Sequence, residues 1–362
     1  MLRKRTGQKF EEQENNHVSD IKAKNKVKPN RLFWKLLLVI IFVVYIIIPF
    51  LVYLSPAVRR HAVFLNYVSL SRQKNLSLPS ESGLKCTRNF YVSSEDNIKL
   101  GVWHIPAHSS LLKCKDGHIP VGEEFNDEQP IFLYLHGNAG TRSGGHRVEL
   151  YKVLSEKLNS HVVAFDYRGF GDSTNESPSE PGLVKDTESL YNWLRKRAKS
   201  SRIYIWGHSL GTGVSVAFLN TLSSSKNQPG GLILEAPFTR IIDAARHHPL
   251  SIFHRYMPFF ETLIAEPIGD KDTAFDSINR IGNVKCPILI LHAEDDGFVP
   301  FFQGKELYER ALATRKSSDH ITKFVGFDRK LDLGHKHIFQ NPDLPIIIKE
   351  FIDSVQQKSK RV

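Results

Sequence analysis

From residue 130 onward the chain alternates short, unbroken apolar runs with longer amphipathic stretches. The runs are IFLYL (131–135), HVVAFD (161–166), RIYIWG (202–207), GLILEAP (231–237), PILILHAED (287–295) and HITKFVGF (320–327). They are too short for helices and too continuously apolar for half-exposed strands, so they read as strands covered on both faces. Helical spacing of apolar positions falls between them, around 145–158, 182–198 and 210–222, after Phe301, and over 342–355. The pattern predicts an α/β fold with a mostly parallel central sheet flanked by helices. Upstream, CTRNFYVSSEDNIKLGVWHIPA (86–107) reads as two strands around a polar turn at Glu95–Asp96–Asn97, and the polar stretch 108–129 as a loop or insertion. The alternation fails at one place, about 238–285, which holds HHPLSIFHRYMPFF. That interval is either a lid over a site or a pair of packing helices. No internal repeat is evident.

A different pattern precedes the strands. Residues 36–58, LLLVIIFVVYIIIPFLVYLSPAV, carry no charge. The run is long enough to cross a hydrocarbon core of about 30 Å. It exceeds the apolar core of a signal peptide and lacks a small-x-small cleavage site after it, and a soluble core helix of that length would show a polar side. It is therefore expected to be a transmembrane anchor, kinked but not broken at Pro49. Much of the net charge of +11 lies before it, on Arg3, Lys4, Arg5, Lys9, Lys22, Lys24, Lys26, Lys28, Arg31 and Lys35, whereas only Arg59 and Arg60 follow closely. The positive-inside rule then puts the N-terminus in the cytosol and the large C-terminal part in a lumen or outside the cell. The basic residues sit in a polar arm (1–35) that reads as disordered, not on a folded face with interleaved aromatics, so no nucleic-acid partner is expected. The apolar VFLNYVSL (63–70), within a membrane-proximal segment 59–83, reads as interfacial. Sequons at Asn75 and Asn175 suit a lumenal side. Three cysteines are too few for a disulfide framework; Cys86 and Cys114 either pair or stay as thiols.

The chemistry concentrates where strands end. WGHSLGTG carries Gly207-His208-Ser209-Leu210-Gly211 between an apolar strand and a helix. A G-x-S-x-G in that context is a nucleophile elbow. The serine is lifted on a tight turn whose flanking positions leave no room for side chains, and the following helix aims its N-terminal N–H groups at the point where an oxyanion would form. Such a serine needs a base and the base an orienting acid, in the chain order Ser, acid, His. The strand ending LILHAEDDGFVP offers Glu294, Asp295 and Asp296; Asp296 opens D-x-x-V-P just past the strand and is favoured, with Asp295 the nearest competitor and Glu235 a third. The base is expected in LDLGHKHIFQNP (331–342), between the last strand and the last helix, from His335 or His337. His335 follows Gly334, whose backbone freedom lets a ring turn toward the nucleophile. A second oxyanion donor is expected after an earlier strand, in YLHGNAGT (134–141): the N–H of Asn138 together with that of Leu210. His136 reads as a buried brace, and His208 as a residue whose backbone matters more than its ring. DYRGFGDS (166–173) reads as a turn shaping the site. No metal-ligand spacing appears, so no metal and no cofactor are expected.

With HGNAGT, DYRGFGDS, WGHSLGTGV, LEAPF and LHAEDD in that order, the chain resembles α/β-hydrolases. It looks most like the membrane-anchored α/β-hydrolase-domain lipases that cleave lysophosphatidylserine and monoacylglycerol; HGNAGTRSGGHRVELYKVL (136–154) and YIWGHSLGTGV (204–214) are especially similar to that group. The resemblance implies an α/β-hydrolase domain over 84–362, a triad of Ser209, Asp296 and His335, with His335 at the family's His-Lys-x-Ile position, and an endoplasmic-reticulum membrane protein whose catalytic domain is lumenal. A lysophospholipid or monoacylglycerol would be the substrate and the membrane the only implied partner; oligomeric state is not implied. Two other functions remain open at this level. A depalmitoylating thioesterase would use the same triad in a cytosolic domain. A non-catalytic lipid-binding protein on a hydrolase scaffold would be expected to lack a triad member.

Overall fold

The computed structural model describes residues 31–68, 75–117, 119–225, 227–315 and 321–359, and the described chain divides into two units between Phe50 and Leu51. The basic arm up to residue 30 lies outside the described residues. Helix α1 (Arg31–Leu54) is, among the described residues, the one helix long and apolar enough to cross a membrane by length and composition. It stops short of the expected residue 58. Ser55 turns extended (φ −114°) and caps the next helix, α2 (Pro56–Phe64), by accepting from the Val58 N–H at 3.4 Å, with Pro56 in its first turn. Pro49 does not break α1. The turn before it, Val43–Ile47, is π-helical, which widens the ladder where proline offers no N–H and its ring crowds a carbonyl.

Eight strands form one sheet: β1 (Arg88–Ser93), β2 (Lys99–Ile105), β3 (Ile131–Leu135), β4 (His161–Phe165), β5 (Ile203–His208), β6 (Gly231–Glu235), β7 (Ile288–Ala293) and β8 (Thr322–Phe327), in the order β1-β2-β4-β3-β5-β6-β7-β8. The β1–β2 and β2–β4 pairs are antiparallel and the remaining pairs parallel. The period of two divides the apolar strands between two cores. Ile131, Leu133, Ile203, Ile205, Leu232, Leu234, Ile288 and Ile290 enter one; Phe132, Tyr134, Tyr204, Trp206, Ile233, Leu289 and Leu291 enter the other. Helices α3 (Gly145–Lys152) and α8 (Leu344–Ser359) cover the second core. Helices α4 (Glu180–Arg195), α5 (Leu210–Thr221) and α7 (Phe301–Thr314) cover the first. Parallel register sets Leu135 beside Gly207, His208 beside Glu235, and Glu235 beside Leu291, so the carboxyl ends of β3, β5, β6 and β7 open on one edge, where ligands bind in such sheets.

Three local outcomes refine the expectations. Cys86 and Cys114 are disulfide-bonded, tying the irregular stretch after β2 to the segment before β1, while Cys286 is free and buried. The last helix begins at Leu344, two residues beyond an Asn341–Pro342 start, because the Asn341 side chain accepts from the Asp343 N–H at 2.8 Å and holds a turn there. The interval 238–285 is not one element. Helix α6 (Ile241–His247) opens it, Ile252, Phe253, Tyr256 and Phe259 face solvent, and Phe275, Ile281 and Val284 return to the core.

Candidate active site

Ser209 follows the last residue of β5 and immediately precedes α5. Its backbone adopts φ +51° and ψ −116°, a conformation few side-chain-bearing residues take, and its N–H is fixed to Glu235 O at 3.0 Å. The turn is possible because α5 presses on β3: a Cβ at Gly211 would fall 2.0 Å from Leu135 O. The serine hydroxyl lies 2.9 Å from Nε2 of His335, and Nδ1 of His335 lies 2.7 Å from Oδ2 of Asp296. Of the two histidines in LDLGHKHIF, His335 is thus the one brought to Ser209; His337 is exposed and packs against Phe339.

The carboxylate is held from several sides. Oδ1 of Asp296 accepts from the Phe298 and Val299 N–H groups at 2.8 and 2.9 Å, and His292 Nε2 stands 3.3 Å from Oδ2. Burial raises the Asp296 pKa, but the bonds from His292 and His335 outweigh it and hold the group well below the usual carboxylate range. The two competing acids have other duties. Asp295 accepts from the Gly334 N–H at 2.9 Å and so places the base loop. Glu235 is buried, accepts from Trp206 Nε1 at 2.8 Å, and is pushed by burial up to about 7.

The loop after β3 lies directly against the serine: a Cβ at Gly137 would sit 3.2 Å from Ser209 Cβ. Ala139 (φ +57°) and Gly140 (φ +64°) turn left-handed in succession. Their N–H groups donate to Phe64 O and Val68 O, both at 3.1 Å, and the Asn138 side chain donates to Val63 O at 3.3 Å. Residues 63–68, the described part of the run 63–70 expected at a membrane interface, are a strut under this loop; residues 69 and 70 lie outside the described residues. On its other side the loop carbonyls meet Arg147. The backbone N–H groups of Asn138 and Leu210 have no acceptor among the described residues.

Several residues act differently from a pattern-level reading. The ring of His208, not only its backbone, matters: Nε2 donates to His335 O at 2.9 Å. Burial and the neighbouring His335 hold this ring neutral. Nothing in the spacing announces a contact across 127 positions. His136 is fully buried, bonded through Nδ1 to Gly137 O at 2.7 Å and packed against Tyr167 and Phe170. In DYRGFGDS, Asp166 and Asp172 clamp the buried Arg142 just past the Asn138 loop, giving that turn its site-shaping role. Arg246 is committed to Asp243 and Glu261. Asn75 and Asn175 are exposed. No group of metal-ligating side chains occurs among the described residues. A cavity of about 370 Å³ beside the base is lined by Asp295, Phe298, His335 and Lys336, among others, and Lys336 Nζ stands 5.5 Å over the Phe298 ring. A second cavity, about 650 Å³, lies between residues 77 and 89 and Asp116–Gly117 and shares none of these groups.

A serine on a strained strand-to-helix turn, bonded to a histidine that is bonded to a carboxylate, at the carboxyl edge of an eight-stranded mostly parallel sheet, defines an α/β-hydrolase with the arrangement for acyl transfer. The family described as serine aminopeptidase, S33, matches residues 132–268. The chain is 45% identical over 312 residues to the lysophosphatidylserine lipase ABHD12 of Gallus gallus, spanning 85% of this chain and 81% of that protein. It is 42% identical over 325 residues to that of Danio rerio, spanning 89% and 84%. Among solved structures, an alpha-beta hydrolase from Vibrio vulnificus superposes with a TM-score of 0.57 at 18% identity, covering 84% of this chain and 94% of that one. The chain belongs to the ABHD12 lysophosphatidylserine lipase family and is a serine ester hydrolase.

Proposed function

We propose that this enzyme cleaves the acyl ester of single-chain lipids, lysophosphatidylserine and monoacylglycerol, with Ser209 as nucleophile, His335 as general base and Asp296 as the acid that orients and stabilises it. The observation that carries the reading is the continuous chain Ser209 Oγ–His335 Nε2 (2.9 Å) and His335 Nδ1–Asp296 Oδ2 (2.7 Å). His335 takes the hydroxyl proton as Oγ attacks the ester carbonyl, and the Asn138 and Leu210 N–H groups receive the oxyanion, each worth roughly 3 kcal/mol. The protonated His335 gives its proton to the departing glycerol oxygen. Water then repeats the sequence on the acyl-enzyme and frees the fatty acid. Phe298, partly exposed in the cavity beside His335, offers apolar surface to the substrate, and Lys336 is the cation in that cavity for an anionic headgroup.

We also infer a single-pass protein of the endoplasmic reticulum membrane, with the N-terminus cytosolic and the catalytic domain lumenal. The apolar helix after a basic arm supports this orientation, as do the Cys86–Cys114 disulfide, which suits an oxidising compartment, and the exposed sequons Asn75 and Asn175. A fluorophosphonate probe on the full-length protein tests the chemistry: wild type labels and Ser209→Ala does not. Released fatty acid from lysophosphatidylserine or monoacylglycerol tests the substrate class, and release from neither refutes it. A protein made in microsomes that gains no glycan at either sequon and loses its catalytic domain to external protease would refute the orientation and favour the cytosolic thioesterase.

A further inference from the structure

Arg147 is the residue whose placement the mechanism above leaves unexplained. It stands in the first turn of α3, where the helix dipole disfavours a cation. It is almost fully buried, and no carboxylate lies within ion-pair distance of it among the described residues. An unpaired buried charge is costly, so its hydrogen bonds must compensate. All of them run to one loop. Nη1 donates to Thr141 O at 2.6 Å, and Nη2 to Gly137 O at 3.1 Å, Asn138 O at 3.4 Å and Ala139 O at 2.9 Å. A single guanidinium thereby gathers four carbonyls of the loop after β3 onto one side.

The consequence for Ser209 follows from the planarity of the peptide unit. The carbonyl of Gly137 and the N–H of Asn138 belong to one peptide and point in opposite directions. Gly137 O is held by Arg147 and by the neutral His136, whose Nδ1 lies 2.7 Å from the same oxygen, and fixing it there fixes the direction of the Asn138 N–H. A donor on that carbonyl, here a charged one, also draws electron density from the amide and strengthens its N–H as a donor. The neighbouring N–H groups of Ala139 and Gly140 are already occupied by Phe64 O and Val68 O, whereas the Asn138 N–H has no acceptor among the described residues, in a loop that lies against the serine at Gly137. The histidines around the guanidinium, His136, His146 and His208, are all held neutral by burial first and by Arg147 next or among the lesser causes, so Arg147 carries the positive charge of this cluster.

We propose that Arg147 is a positioning residue for the oxyanion hole, orienting and polarising the Gly137–Asn138 peptide without touching substrate. The proposal rests on the reading of the Asn138 N–H as an oxyanion donor.

The test uses full-length protein in membranes, a neutral p-nitrophenyl ester so that substrate charge plays no part, and rates normalised to active sites titrated with fluorophosphonate, so that unfolded protein is not counted. Arg147→Met should lower kcat on the order of 10- to 100-fold, less than the roughly 10²- to 10³-fold lost with a whole donor, with KM changed less than about threefold. A trifluoromethyl ketone forms an oxyanion when Ser209 Oγ adds to its carbonyl and the hydroxyl proton passes to His335. Its affinity should fall by the same factor as kcat, whereas an ether-linked, non-reacting substrate analogue should bind as before. Arg147→Lys, which keeps the charge and reaches fewer carbonyls, should fall between. A per-site kcat of Arg147→Met within threefold of wild type overturns the proposal, as does a loss in kcat without the matching loss in ketone affinity, or a failure of both variants to yield titratable sites. If Ser209→Ala still turns over the ester, the site reading itself fails. If Ser209→Ala is dead and Arg147→Met is normal, only this inference does.

Discussion

The two halves of the site around Ser209 are built from different materials. On the His335 side the working groups are side chains: an imidazole, the Asp296 carboxylate, and the Asp295 carboxylate and His208 ring that place the base loop. On the Asn138 side the offered groups are backbone N–H groups, and what makes them usable is remote. Arg147 holds the carbonyls, and residues 63–68 hold the neighbouring amides. Side-chain chemistry is written in residue identity and can be read locally. Backbone chemistry depends on what pins a loop, and the pins come from other parts of the chain.

The sharpest way to break the comparison is on the side-chain half. His335→Ala should lower kcat/KM for lysophosphatidylserine on the order of 10⁴-fold or more, because Ser209 keeps its elbow but loses its proton acceptor. His337→Ala should leave activity within about threefold, since that ring is exposed and touches Phe339 rather than the serine. Side-by-side kinetics of the two variants checks this. Equal losses, or a larger loss in His337→Ala, would mean that the arrangement around Ser209 is not the reacting one.

The same contrast explains how much was legible. The strands β3 to β7 are legible close to their observed bounds because a strand buried on both faces has no polar alternative, whereas β8, expected to be covered on both faces, carries Thr322 and Lys323 and buries only Phe327 fully, as an edge strand does. The elbow at Ser209 and the acid loop at Asp296 were legible because each couples a residue type to a strand end. The part played by the His208 ring and the strut at 63–68 were not, since each joins segments far apart in the chain. One signal for Arg147 was present but unread: a cation in the first turn after Gly144–Gly145, against the helix dipole. The end of α1 is not legible in composition, since the apolar run continues through Ser55–Pro56 while the backbone starts a new helix there.

A smaller effect tests why Glu235, a strand-end carboxyl beside the serine, takes no part in the hydrogen-bonded relay. Burial raises its pKa to about 7, against Trp206, whose N–H favours the charged form, and with Asp296 adding to the rise. The folded state therefore prefers the protonated form. The stability this gives is full below the ordinary carboxyl range and is lost as pH rises through about 7. The span from 4.5 to about 7 corresponds to roughly 3 kcal/mol at most. Glu235→Gln keeps an oxygen for the Trp206 N–H and cannot ionise, so the Tm of wild type should fall relative to that of Glu235→Gln between pH 5 and 8, the buried neutral histidines contributing equally to both. Parallel slopes would mean that Glu235 does not titrate in this window.

The smallest expected effect bears most directly on the backbone half. Asn138→Ala leaves the amide in place and removes only the Nδ2 bond to Val63 O, a 3.3 Å contact between the loop and the strut. One neutral hydrogen bond contributes about 1 kcal/mol, and its loss should loosen the loop's placement rather than abolish it. A three- to fivefold fall in kcat with little change in KM is expected. The informative measurement is the same substitution made with Arg147→Met already present. If Arg147 and the strut hold one loop in one position, the two losses are coupled, and Asn138→Ala should cost more once the guanidinium is gone. Costs that simply multiply would show that the strut and the arginine support separate parts of the loop, with the Asn138 N–H depending on Arg147 alone.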